Sequence, residues 1–258
     1  MGFVTLPISG FLYWLMLRSK KESPFPKWGL LRLLIAGAVC VILAVPLNMV
    51  LSGIISFSRL GVLTDPAPWI SAFRESPASL GEMIREASKN TQPTFFQELI
   101  NMFFTAGLLE EGLKFFTCRI AVRKEGMIRT WMDCVVSFAI VGITFEFLEN
   151  IVFGMDSDFI SAFMRSVAAA HFVFGVIMGW FYGKYRVTGQ KKNLWLSVWV
   201  PVVYHTVTNA LIASATYSKV LDVLGTAAAI SHIVAAVIAV IIVLLWQKNK
   251  TLDVPVRT

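Results

Sequence analysis

Leu99-Ile-Asn-Met-Phe-Phe-Thr-Ala-Gly-Leu-Leu-Glu110-Glu111-Gly-Leu-Lys114-Phe-Phe-Thr-Cys-Arg-Ile120 is an apolar stretch long enough to cross a membrane, with two adjacent carboxylates at its middle. A charge at bilayer mid-depth costs roughly 3 kcal/mol on insertion scales. Such groups persist where they face a polar interior and are used there. The stretch therefore raises two questions, what surrounds it and what its carboxylates act upon.

The surroundings are membrane-like. Hydrophobic residues make up 56% of the chain and charged residues 15%, with a mean hydropathy of +0.69. A soluble chain is normally about 25% charged. Seven apolar segments stand out, at about 3–17, 30–57, 96–118, 132–154, 160–182, 194–213 and 224–246. Most match a hydrocarbon core about 30 Å thick when helical; the first is short for a full span. The expected fold class is all-α, a polytopic membrane helical bundle of about seven transmembrane helices forming one integral membrane domain over residues 1–258.

Charge distribution orients the bundle. Sixteen Lys and Arg residues fall in alternate connections and the C-terminal tail, against five in the others. By the positive-inside rule the N-terminus lies outside and the C-terminus in the cytoplasm. The formal charge of +7 is then a topology signal, and it implies no nucleic-acid partner. The first segment is followed, not preceded, by basic residues, which reads as a retained anchor and not a cleavable signal. Cys40, Cys118 and Cys134 show no paired spacing and read as buried thiols.

Residues 59–94 form the one long outer connection. Ser79 and Glu82 have capping-box spacing, and Leu80, Met83, Ile84 and Ala87 share a helical face. An interfacial helix, a cover over a lateral entrance and a solvated linker all fit this pattern.

The polar residues inside the spans point to chemistry. Glu110 and Lys114 are four residues apart and share a face, so they are expected to pair, leaving Glu111 to face a shared cavity. The fourth segment adds Glu146, Glu149 and Asn150. The fifth carries His171 at the head of a Gly175, Gly179, Gly183 stripe, a smooth face for close helix approach. Arg165 lies nearer the outer end, placed to snorkel or to pair with an acid. The sixth places His205 and Asn209 one turn apart. His232, without polar neighbours at helical spacing, reads as structural.

By depth, Glu110, Glu111, His171, His205 and Asn209 should converge near the membrane centre, with Glu149 and Asn150 on the outer side of the same cavity. No serine or cysteine has a histidine at helical spacing, so the inventory favours attack by water. A carboxylate serves as general base, and Asn209 can donate to an oxyanion.

These blocks resemble the PrsW family. Glu110-Glu111-Gly-Leu-Lys114, Asp133 and Phe145-Glu-Phe-Leu-Glu149-Asn150 match its EExxK … D … FAxxEN pattern. His171 through Gly175 to Gly179 matches the HxxxGxxxG block, and His205 through Asn209 the closing HxxxN/D block. The resemblance covers about 100 residues, in order on successive spans, and extends distantly to CAAX-type prenyl proteases. It implies an intramembrane protease of the prokaryotic plasma membrane that cuts a membrane-anchored, anti-sigma-factor-like protein in or near the bilayer. The residues it implies as catalytic are Glu110, Glu111, Glu149, His171, His205 and Asn209, all on the catalytic helices 96–213, with Lys114, Glu146 and Asn150 in support. Glu146 and Thr144 depart from the pattern, standing where a small residue and a glycine are expected.

Two mechanisms stay open. In one, Glu149, His171 and His205 hold Zn2+ and Glu111 is the base, although no HExxH helix is present. In the other, with no cofactor, Glu111 and His171 activate water while His205 and Asn209 stabilise the oxyanion. Two other functions also fit the residues, a proton- or ion-coupled transporter using midplane Glu and His, and a non-catalytic protease-like scaffold. The oligomeric state is not legible.

Overall fold

The computed structural model describes residues 5–21, 24–60, 62, 65–76, 78, 79, 82–84, 86, 93–154, 159–250 and 253–257. Among them the architecture is all-helical, and the only extended pairing is an isolated bridge between Thr130 and Pro255. The elements are α1 (Leu6–Arg18), α2 (Gly29–Arg59), α3 (Ala67–Glu75), α4 (Phe95–Met102), a π-helical turn (Phe103–Leu108), α5 (Leu109–Ala121), α6 (Trp131–Gly154), α7 (Phe159–Ala168), α8 (Ala170–Thr188), α9 (Lys191–Ala213) and α10 (Lys219–Asn249).

Five spans are long and apolar enough to cross a membrane: α2, α6, the α7–α8 pair, α9 with the short 3-10 turn after it, and α10. Seven were expected, and the other two segments differ for physical reasons. The first forms α1, whose 13 residues reach about 20 Å, short of a hydrocarbon core. The third is helical from Phe95 to Ala121 but divided by the π turn and loaded with buried charge. Its start is a reciprocal capping box, with Thr94 accepting from the Gln97 amide and the Gln97 side chain accepting from the Thr94 amide. Of the helix expected around Ser79–Ala87, residues 79, 82–84 and 86 are described and helical, and the others lie outside the described residues; α3 precedes it in the same connection.

The centre of the bundle is the antiparallel pair α6–α8. Its close approach rests on glycine. A Cβ at Gly175 would sit 2.5 Å from the Phe138 carbonyl oxygen, and one at Gly179 the same distance from Val135 Cα. Gly183 lies against Trp131, and Gly142 of α6 lies against the His171 carbonyl. Backbone thus meets backbone along about three turns, as small-residue stripes permit. Phe138, Phe145, Phe172 and Ile140 fill the rest of this fully buried core.

At the end of α6 that sequence reading places in the cytoplasm, Thr130 and Asp133 cap the helix reciprocally, and Asp133 Oδ1 pairs with Lys20 Nζ at 2.5 Å. The tail closes over the same end: Trp131 N donates to Val254 O and Val256 N to Arg129 O. Thr144, the departure noted above, accommodates itself locally. Its hydroxyl donates to Ile140 O and meets Tyr13 Oη at 2.6 Å, while the small residue opposite it is Gly37 of α2. All three cysteines are free and buried.

Candidate active site

The π turn immediately before Glu110 is where the site begins. A wide turn of this kind is rare and shifts the register of everything after it. Gly107 allows it to press against Val202 O and Thr206 of α9. The following helix then presents Glu110, Glu111, Lys114, Phe115 and Cys118 inward.

Glu111 is fully buried and anchors the cluster. Its Oε1 accepts from Lys114 Nζ at 2.6 Å and from His205 Nδ1 at 2.7 Å. Lys114 Nζ also lies 2.5 Å from His171 Nδ1. An ammonium can only donate and a carboxylate can only accept, so both imidazole tautomers follow. His205 carries its proton on Nδ1, which leaves a lone pair on Nε2. His171 accepts at Nδ1, so its Nε2–H donates to Glu149 Oε2 at 3.0 Å.

This corrects the expected pairing. Lys114 neutralises Glu111, three residues away, and it is Glu110 that lines the cavity. Helical spacing allowed either partner; the presence of two imidazoles beside Glu111 decided between them.

The cavity measures about 600 Å3. Its polar wall is Glu110, Glu146, Glu149, Asn150, Arg165, His171, His205, Asn209 and His232, and its apolar wall comes largely from α7, α9 and α10. Lys114 and Glu111 lie behind this wall. Arg165 on α7 reaches Asn150 Oδ1 at 3.1 Å and Glu149 Oε2 at 3.5 Å, so it pairs with an acid. Glu146 accepts from the backbone amides of His171 and Phe172.

Sequence reading missed three contributors. Phe145 stands edge-on to His171 at 4.7 Å, and Phe174 stacks on His205 at 4.7 Å. Both rings hold imidazoles in place, and Phe174 lies one turn from His171, a spacing that could have flagged it. His232, read as structural, also reaches the cavity wall, where it meets Thr208 Oγ1 at 3.1 Å. Its inward position was readable from Ala228 and Ala236, each one turn away and buried.

Could this cluster hold a metal? Glu110, Glu111, His171 and His205 offer donor atoms within 4.8 Å of one another. Two carboxylates and two imidazoles are zinc chemistry. Glu110 Oε2 and Glu111 Oε2 are buried without a hydrogen-bond partner among the described residues, which leaves two acceptors for a cation. By residue type this set fits zinc, but His171 is engaged at both ring nitrogens, by Lys114 and by Glu149, and would have to release one of them to ligate; the expected Glu149, His171, His205 set breaks the same Glu149 contact and also draws Glu149 from Arg165.

The fold and the site define a multi-pass membrane protein with a buried acid–imidazole centre. The family model described as PrsW family intramembrane metalloprotease matches residues 25–246, and the chain belongs to that family. The Protease PrsW of Bacillus subtilis (strain 168) is 36% identical over 108 residues, covering 40% of this chain and 50% of the relative. That of Oceanobacillus iheyensis is 30% identical over 117 residues, 44% of this chain and 54% of the relative. The chain spans about half the length of these relatives. No solved structure matches.

Proposed function

We propose that this protein is an intramembrane endopeptidase that hydrolyses a peptide bond of a membrane-anchored protein. The observation that carries the reading is the couple formed by Glu111 and His205, which leaves the Nε2 lone pair free on an imidazole that lines the cavity. Family membership and the relatives' shared name support it.

The roles follow from the tautomers. His205 Nε2 removes a proton from water as the water oxygen bonds to the scissile carbonyl carbon, and the Glu111 carboxylate stabilises the imidazolium that results. Glu110 Oε2 faces the same space and orients the water. The Asn209 amide donates to the oxyanion, while His171, its one N–H held by Glu149, fixes the neighbouring wall of the cavity. As the C–N bond breaks, the proton on His205 passes to the leaving amine. His205 thus takes the base's part expected of His171. Were zinc held by Glu110, Glu111, His171 and His205, it would supply an acidified water with a pKa of ~7, and His205 Nε2 would then be a ligand and not the base.

The substrate reaches the cavity across α7 and α10, whose outer faces are exposed and apolar at Ile160, Phe163 and Val223. The finer topology belongs to this reading: one integral domain, seven membrane-embedded helical segments, N-terminus outside, residues 59–94 as an outer connection, 96–213 as the catalytic helices, and the prokaryotic plasma membrane as location. The relatives support a bacterial setting, and an anti-sigma-factor-like protein anchored by one span suits the portal.

The test compares new protein termini by mass spectrometry in membranes of cells making wild-type protein or Glu111→Gln at equal abundance. Fragments cut within or beside a span and seen only with wild type are the expected result. Identical fragment sets under several envelope stresses would overturn the proposal.

A further inference from the structure

The span that carries His171 is broken. Ala169, between α7 and α8, is buried and adopts a left-handed conformation (φ 43°, ψ 43°), unusual for a residue with a side chain. A helix begun inside a bilayer leaves its first amide N–H groups without intrahelical acceptors, and neither water nor lipid tails replace them cheaply. Alanine has no side-chain acceptor to offer as a cap. The first intrahelical bond of α8 is Val173 N to Ala169 O, which leaves the amides of His171 and Phe172 unserved.

Glu146 serves them from the neighbouring helix. Its Oε2 accepts from His171 N at 3.1 Å and from Phe172 N at 3.3 Å, and its side chain is buried. One turn earlier on α6, Gly142 brings the backbone against the carbonyl of His171 itself. His171 is thereby gripped at both its amide and its carbonyl by α6, which also carries Glu149, the partner of its Nε2.

We propose that Glu146 is a positioning residue: it caps α8 from α6 and so holds the His171 imidazole in line with Glu149 and the cavity. It works through the backbone and takes no proton in the reaction. The proposal rests on the protease reading for its consequence and on hydrogen bonding alone for the cap.

The test uses full-length protein in lipid nanodiscs, as wild type, Glu146→Ala and Glu146→Gln. Gln keeps an acceptor oxygen and Ala does not. Hydrogen exchange at His171 and Phe172 should accelerate about tenfold or more in the Ala variant and stay near wild type in the Gln variant. With a substrate found by terminus mapping, Ala should lower kcat about tenfold to a hundredfold with KM within about twofold, and Gln should restore most of the rate. Unchanged exchange in the Ala variant overturns the cap. A Gln variant as slow as Ala overturns the positioning role and makes Glu146 a reacting carboxylate. If Glu146→Ala does not fold, Glu146→Asp makes the same comparison: it keeps the charge, withdraws the carboxylate by one methylene, and should exchange faster than wild type. Exchange needs no substrate, so a failure of the protease reading leaves the cap standing and is told apart from its own failure.

Discussion

The α6–α8 pair and the α7–α10 side of the cavity are built differently. In α6, 72% of the most apolar stretch is buried inside the protein; in α10 the share is 28%. The first contact is glycine against backbone, without slack. The second lines the cavity with Thr226, Ala229, Ile230 and Ile233 and turns other large apolar residues, Val223 and Val234 among them, to its surroundings. Glu146, Glu149 and His171 all ride on the tight pair. The difference separates precision from access: one side holds the imidazole, and the other lets a chain approach.

Substitutions of one kind placed on the two sides should therefore behave oppositely. Gly142→Leu drives a side chain into the His171 carbonyl and should cost roughly 3 kcal/mol or more. Ala229→Leu, on an exposed cavity position, should stay within about 0.5 kcal/mol of wild type. Thermal unfolding in nanodiscs reads both, and equal losses would erase the distinction. Ala229→Trp narrows the portal instead; KM for a membrane-anchored substrate should rise on the order of tenfold with folding unchanged. A wild-type KM would show that substrate does not pass α10. A loss well below that of Gly142→Leu is expected at the periphery of the tight pair. Tyr13→Phe removes one hydrogen bond between α1 and Thr144 and should cost about 1 kcal/mol in the same unfolding assay, with little change in rate.

Much of this was legible in the sequence. The apolar segments located the helices because an apolar run of span length has few alternatives to a membrane helix. The four-residue glycine steps announced a close helix contact, and the structure puts α6 there. What escaped was local geometry. Nothing in Phe103–Leu108 announces a π turn by residue type, and the break at Ala169 falls at an alanine with no helix-stopping signal. Spacing could not choose between Glu110 and Glu111 as the partner of Lys114, because both lie within one turn of it. The choice depended on His171 and His205, which arrive from 57 and 94 residues away. Glu146 was visible as an unexpected charge, but its role needed the chain break it caps.

The most direct measurement is cleavage by purified protein in lipid nanodiscs, with a single-span substrate, comparing wild type with His205→Gln and identifying product termini by mass spectrometry. Cutting within or beside the span by wild type, reduced about a thousandfold or more in a folded His205→Gln protein, is the expected outcome. Equal cleavage by both proteins would contradict the assignment of His205 as the base, and no cleavage by a folded wild type would contradict the protease itself.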